Sequence, residues 1–412
     1  MEVSYNLRYQ KSNFSNKMIT DKEGEVIIYG KGFRLKGKGA QDKGELINFS
    51  EIKEFYYKDG RVIFITFARE KYVLSDMGTL FDQLLVDLYR ARNEFLMDAL
   101  FMKGGKMKAE FEGNFERFSK FGKHINKGQA KVRLYEKSMV VVPSNQDAFS
   151  LHYDFVNFHE FDEGEYNLKI TMDDGSSIIF SQFGDDFEFF EERLNELLGG
   201  MYEVLVNSVL REVFGEFPVA TLLKLAYKMK GGKAVSHHDI RKMDEDMAVA
   251  VEKFVLGDEE IVEKLACVSE GVDEYNVMYG IAKDAKVKDG FVKWVMYVRP
   301  EDNLVGAAIL PRWENEPFEM YFYKIIMEKG RPADKFVDKV LEVNQALVVL
   351  DFVKDPCFKD KRELKHSPYK YAIRKLPFLR ILRKSYAGKV GGADAASWAK
   401  EFKEVVKTAK LQ

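Results

Sequence analysis

The chain has 412 residues and nearly balanced charge, with 64 Lys and Arg against 66 Asp and Glu. Apolar side chains make up 46%, including 33 Phe and 20 Tyr, and only 9 residues are Pro. That supplies cores for two or three domains and excludes a largely disordered chain or one strung on Pro-rich linkers.

The N-terminus, MEVSYNLRYQKSNFSNKM, has no apolar stretch behind a basic start, so no secretory signal is expected. The richest apolar run, Ala346–Val353, is interrupted by Asp351, so no transmembrane helix is expected either. The chain reads as cytoplasmic, and Cys267 and Cys357 read as separate thiols.

Residues 25–101 resemble residues 131–207. Tyr29 falls on Tyr135, Leu74-Ser75-Asp76-Met77-Gly78 on Phe180-Ser181-Gln182-Phe183-Gly184, and Phe81 on Phe187. Short β-branched or alternating runs in the first copy predict strands at Val26–Tyr29, Phe33–Leu35, Leu46–Phe49, Ile52–Tyr57, Val62–Phe67 and Tyr72–Leu74. The second copy matches them with Val132–Tyr135, Met139–Val142, Phe149–Tyr153, Val156–Phe161, Tyr166–Ile170 and Ser177–Phe180. Turn signals such as Lys58-Asp59-Gly60 and Asp173-Asp174-Gly175 separate them. A long amphipathic helix closes each copy, at about 79–101 and 185–213.

Gly32–Gly39 imitates a phosphate-binding loop, but Gly39 stands where the motif needs Ser or Thr, and the next residues read as a turn between strands. Ser236-His237-His238-Asp239 reads as a capping box opening a helix and not as a metal site.

Six or seven short strands followed by one helix resemble the pleckstrin-homology-like (PH-like) superfold, in which a bent antiparallel sheet forms a barrel that a helix plugs. Two antiparallel half-sheets, each covered by a helix, would show the same element order. The whole chain also resembles a prokaryotic family with tandem repeats of this kind, from which no activity carries over.

Residues 218–268 read as helices: Val219–Met229 stopped by Gly231-Gly232, Ile240–Leu256, and Glu259–Cys267 capped by Asp258. Strands follow at Tyr275–Ala282, Phe291–Val298, Leu304–Leu310 and Glu319–Met327, then a helix over Ala333–Phe352. This back part reads as an α+β unit of its own or as a degenerate third copy. Residues 354–389 carry 12 Lys and Arg against 3 acids. Tyr371–Lys384 within them reads as helix broken at Pro377, and 394–408 as a last helix.

The expected fold class is α+β. Repeat one spans 1–128, repeat two 129–215, a helical connector 216–270, a C-terminal α+β domain 271–353 and a basic helical tail 354–412. Net charge over these stretches swings from +5 in 1–128 to −11 in 129–215, −6 in 216–353, +9 in 354–389 and +1 in 390–412. Two copies of opposite sign suit a pairing of unlike surfaces, within the chain or between chains.

No catalytic motif, metal spacing or cofactor fingerprint is present, so a non-enzymatic interaction or scaffold protein with a protein partner is expected. The alternative is an anionic ligand or lipid surface, met by Arg34, Lys36 and Lys38, which alternate onto one strand face, or by Arg374, Lys375, Arg380, Arg383 and Lys384 of the basic segment. That segment could instead dock on the chain's own acidic parts. Nucleic acid is disfavoured, and an enzyme with a site assembled from distant residues stands as a third reading.

Overall fold

The computed structural model describes residues 3–39, 41–283, 290–311, 316–325, 334–350, 361–364 and 367–411. It is α+β, with three antiparallel sheets, and divides into two units, Met1–Arg193 and Leu194–Gln412. Cys357, the Ile326-Met327 end of the last predicted strand and both ends of the predicted Ala333–Phe352 helix lie outside the described residues.

In the first unit, β1 (Val3–Ser12), β2 (Met18–Tyr29), β3 (Gly32–Gly37), β4 (Glu45–Asn48), β5 (Ile52–Lys58), β6 (Arg61–Thr66) and β7 (Lys71–Ser75) lead into helix α1 (Phe81–Ala99). The strands pair in the order β4-β3-β2-β1-β7-β6-β5. The phosphate-loop imitation is therefore strand β3. The sequence then repeats the plan with β8 (Met107–Phe118), β9 (His124–Tyr135), β10 (Ser138–Pro143), β11 (Phe149–His152), β12 (Val156–Asp162), β13 (Asn167–Met172) and β14 (Ser177–Ser181), followed by α2 (Phe187–Leu205). Their order is β11-β10-β9-β8-β14-β13-β12, the same topology. Even the turn into the helix is repeated: Asp76 and Gln182 have φ of 62° and 60°, and Gly78 and Gly184 have 56° and 57°. The division between the units falls inside α2.

Each copy starts one strand earlier than expected. The first sheet begins at Val3 and the second at Met107, so the boundary at 128 cuts through β9 and leaves β8 in the wrong copy. The first half of β2, Met18–Glu23, is exposed on both faces and shows no alternation, which hides the hairpin. With the copies redrawn, residues 1–106 hold 18 basic and 15 acidic side chains, and 107–215 hold 11 and 20. The contrast in sign survives.

Both sheets curl. Phe33 on β3 and Phe64 on β6 stand four places apart in strand order, yet their rings are 5.1 Å apart. A flat sheet would separate those strands by about 19 Å. Phe115 and Phe149, three places apart, are likewise 5.5 Å from ring to ring. In the first copy the curl forms a half-barrel around α1, whose Leu84, Leu85, Leu88 and Tyr89 share a core with Val26, Phe33, Phe49 and Phe64.

The outer end of α1 holds the second copy. Arg92 is fully buried and grips Asp147 with Nε and Nη2 at 2.6 and 2.8 Å. Asn93, also fully buried, donates to the carbonyls of Pro143 and Gln146, both at 3.0 Å, and accepts from the Ala148 N–H at 2.8 Å. The loop joining β10 to β11 is thus tied by side-chain bonds to the preceding copy's helix.

The second unit has α3 (Val219–Lys228), β15 (Val235–Ser236), α4 (His237–Met243), α5 (Glu245–Leu256) and α6 (Glu259–Ser269), then β16 (Val277–Lys283), β17 (Phe291–Arg299), β18 (Leu304–Ile309) and β19 (Met320–Lys324). Helices α7 (Asp334–Val349) and α8 (Pro377–Ser385), strand β20 (Tyr386–Val390) and helix α9 (Ala395–Leu411) complete it. The sheet runs β15 to β20 in plain sequence order and lacks the β1–β7 type of pairing, so among the described residues it is a different topology and not a third copy.

Neither the connector nor the tail stands apart. β15 pairs with β16, and Leu222, Leu225, Met247 and Leu265 of the helices share one core with Tyr279 and Val295 of the sheet and Trp398 of α9. Amphipathic helices need a partner surface, and this sheet provides it. Asn344 of α7 pins Ala234 through its N–H and carbonyl at 3.1 and 2.8 Å. As predicted, Ser236 caps α4, accepting from the Asp239 N–H at 3.1 Å, and Asp258 caps α6. The helix expected over Ile240–Leu256 is two, because extended Asp244 breaks it and caps α5 through the Met247 N–H.

Candidate functional site

The alternation of β3 does place Arg34 and Lys36 on one face, with Lys38 just beyond the strand. Register then sets their neighbours. Glu25 on β2 lies opposite Lys36, and the two are 3.6 Å apart, while Lys38 Nζ is 2.6 Å from Glu23. Arg34 lies over the Tyr29 ring at 5.9 Å. Two of the three cations thus face glutamates of the same sheet, and the strand is no bare cationic cup.

The basic-segment residues are split between elements. Arg374 and Lys375 end a short helical turn, Ala372–Lys375, and Leu376 is extended before Pro377 opens α8. Along α8, Leu379 and Leu382 are buried while Arg380 and Lys384 are exposed, with Arg383 between. The segment's end is built into the fold: β20 pairs with β19, and Lys389 lies 2.6 Å from Glu319.

The two copies differ most where sequence offset makes them comparable. In the first, Lys11 meets Glu45 at 2.8 Å and Glu70 at 3.0 Å, and Tyr72 donates to Glu45 at 2.8 Å. Burial alone would lower the Lys11 pKa, but these bonds outweigh it and hold it raised. The matching residues of the second copy are Arg117, Phe149, Ser176 and Ile178. Arg117 stacks on Phe149 at 4.0 Å, and burial pushes its pKa down against a weaker upward pull from Asp174. The adjoining hairpin tips carry strongly exposed apolar side chains, Phe14 at 74% and Phe121 at 83%.

A cleft of about 860 Å³ opens in the second copy. Its floor is the outward face of β8, β9 and β14, with Asn114, Glu116, Lys127, Gln129 and Ser181. Its rim is the β12–β13 turn, with Glu165 and Tyr166, and the turn into α2, with Gln182 and Gly184. Asn114 Nδ2 donates to Gln182 Oε1 at 2.6 Å, and Glu116 and Lys127 pair at 3.5 Å. Tyr166 is 60% exposed, held at φ 47°, with its ring edge-on to Phe187. Sequence reasoning missed this cleft, since its lining spans residues 114 to 187.

The first copy uses the same place differently. Arg8, at the position of Asn114, binds Asp21 through Nε and Nη2 at 2.7 and 2.8 Å, and Gln10 joins at 3.2 Å. A guanidinium therefore lies across the outward face there, whereas the shorter Asn114 leaves it open.

The second copy carries many exposed acidic side chains, of which Glu165 lines the cleft and Asp185 and Asp186 follow its rim residue Gly184. Glu160, Asp162, Glu163, Glu165, Asp185, Asp186, Glu188 and Glu192 are exposed, and none makes an ion pair among the described residues. Elsewhere, His238 Nδ1 is 2.9 Å from Glu274 and its ring stacks on Tyr275 at 3.8 Å. Among the described residues, no group of three or more His, Cys, Asp or Glu is arranged to hold a metal ion, and no helix is long and apolar enough to cross a membrane. No family model matches the sequence, and no curated protein matches it at a significant level.

Proposed function

We propose that the two half-barrels are tandem PH-like modules and that the chain is a non-enzymatic interaction protein whose second module receives a basic protein partner. The observation that carries this acidic-face reading is a set of eight exposed carboxylates without ion pairs, on β12, the β12–β13 turn and the start of α2. The first module, on the same strand order, has Tyr56, Lys58, Thr79 and Leu80 at the places of Glu160, Asp162, Asp185 and Asp186. An unneutralised face of one sign steers and selects a partner of the other sign. The test is fluorescence anisotropy of the full chain with a labelled Lys/Arg-rich peptide. Asp185→Asn, Asp186→Asn, Glu188→Gln and Glu192→Gln together should weaken binding by at least about tenfold and flatten its salt dependence. Unchanged affinity would refute the proposal.

A second reading has its own observation. Phe14 and Phe121 occupy the corresponding hairpin tips of the two copies, with Lys17 beside one and Lys120 and Lys123 beside the other. Aromatic side chains flanked by lysines suit the interface of an anionic bilayer. Co-sedimentation with phosphatidylserine vesicles should fall on Phe14→Ser plus Phe121→Ser. Sedimentation indifferent to both changes would exclude it.

A further inference from the structure

We infer that the cleft of the second module is a receptor for a single arginine side chain of the basic partner. The inference rests on the acidic-face proposal and names its anchor point. The cleft is a pocket and not only a charged surface. Its volume, about 860 Å³, exceeds what one side chain needs and leaves room for the flanking peptide.

The lining matches a guanidinium group. Five N–H donors in a plane need several acceptors in a fixed arrangement, and they stack well on an aromatic face. Glu165 supplies a carboxylate that accepts only a 3.3 Å bond from Asn167. Gln129 supplies an amide oxygen, and Tyr166 an exposed ring at the rim. An aromatic residue with positive φ is unfavourable, and here it sets that ring at the mouth of the cleft. Lys127 is the one cation in the lining and opposes the guest, but it is paired with Glu116. Glu165 is the unpaired charge of the lining, and a concave low-dielectric wall focuses its field.

The first module supports the choice of guest. At the corresponding place it carries its own guanidinium, Arg8, over the same outward face. The second module keeps the backbone, trims that side chain to Asn114 and changes its partner Asp21 to Lys127. The cation and carboxylate on these strands are thereby exchanged for Lys127 and Glu116, 3.5 Å apart, the guanidinium is gone, and Glu165 stands at the rim, where a side chain arriving from outside would meet it.

The variant that decides the matter restores the first module's residue. Asn114→Arg should fill the cleft from within and weaken binding of the labelled peptide by at least about tenfold, with the thermal midpoint unchanged or raised. Glu165→Gln should weaken it several-fold. Tyr166→Asn removes the ring while keeping a residue that tolerates positive φ, and should also weaken it. A peptide with every Arg replaced by Lys should bind less well to the wild-type chain and be much less sensitive to Tyr166→Asn. If the peptide binds but ignores Asn114→Arg and Glu165→Gln, while the four-carboxylate variant still abolishes binding, the receptor inference is overturned and the acidic-face proposal survives. If the peptide does not bind at all, both fall.

Discussion

Replacing Asn93 by Ala should loosen the two modules from each other and cost stability out of proportion to the atoms removed. The side chain is fully buried and makes three hydrogen bonds to one loop of the second module. Its loss leaves two carbonyls and the buried Ala148 N–H without their partner. A single buried group left unsatisfied costs about 1–3 kcal/mol. The two carbonyls keep a second lone pair and find partial compensation, so the sum is about 3 kcal/mol. For a unit of this size that corresponds to a fall of roughly 6–12 °C in Tm. Calorimetry on the full chain gives the shift, and hydrogen exchange at the Ala148 amide locates it. The control is Asp98→Ala, which removes an exposed ion pair with Lys103 and should cost no more than about 1 kcal/mol. A drop of under about 2 °C with Ala148 still protected would show that α1 does not hold the second module by these bonds.

His152 should make the second module acid-sensitive. Burial, with Lys137 adding to it, pushes its pKa down to about 4 from an ordinary 6.5. The unfolded chain takes up that proton first, so stability is full above about pH 6.5 and falls as pH drops toward 4, by about 3 kcal/mol in all. Denaturant midpoints for His152→Leu should lose that part of the slope between pH 7 and pH 4.5; an identical slope would place the sensitivity elsewhere. In the second unit, Gly280 is required by close approach. A Cβ there would lie 1.9 Å from Trp294 Nε1, whose N–H is donated to the Gly232 carbonyl at 2.7 Å. Gly280→Ala should therefore displace the fully buried indole, red-shift tryptophan emission and cost about 3 kcal/mol. An unshifted spectrum at wild-type stability would contradict this.

The sequence made the duplication visible because the strands around Phe33, Phe64, Val132 and Phe180 are buried on one face and keep a period of two. The first strand of each copy went unread: Val3, Tyr5, Leu7 and Tyr9 do alternate in the first, but the polar half of β2 that pairs with it concealed the hairpin. Alternation showed that Arg34 and Lys36 share a face. It could not show Glu25 opposite Lys36, because a cross-strand neighbour depends on register, which local pattern does not encode. The same limit hid the cleft, whose lining comes together only when β8 pairs with both β9 and β14. The basic segment misled for another reason. Its cations outnumber its acids four to one, yet Leu364, Leu379 and Leu382 are buried and tie it into the fold.

The two modules handle charge in opposite ways on one backbone plan. The first spends its carboxylates internally: Glu45 and Glu70 on Lys11, Asp21 on Arg8, Glu23 on Lys38 and Asp42 on Lys22. Most of these pairs are partly exposed and add little stability individually, but they leave the surface close to neutral. The second keeps such pairing on β8 and β9, where Glu110 meets Lys131 and Arg133, and omits it around the β12–β13 turn and the start of α2. Fold stability does not require that omission, since the first module folds on the same strand order with its charges paired. Crowded carboxylates also repel one another, which disfavours the compact state. The duplicated fold thus places unpaired carboxylates and an open cleft in one copy and not the other, while the first copy contributes α1 and its grip on the β10–β11 loop; on the function proposed above, that difference is a division of labour.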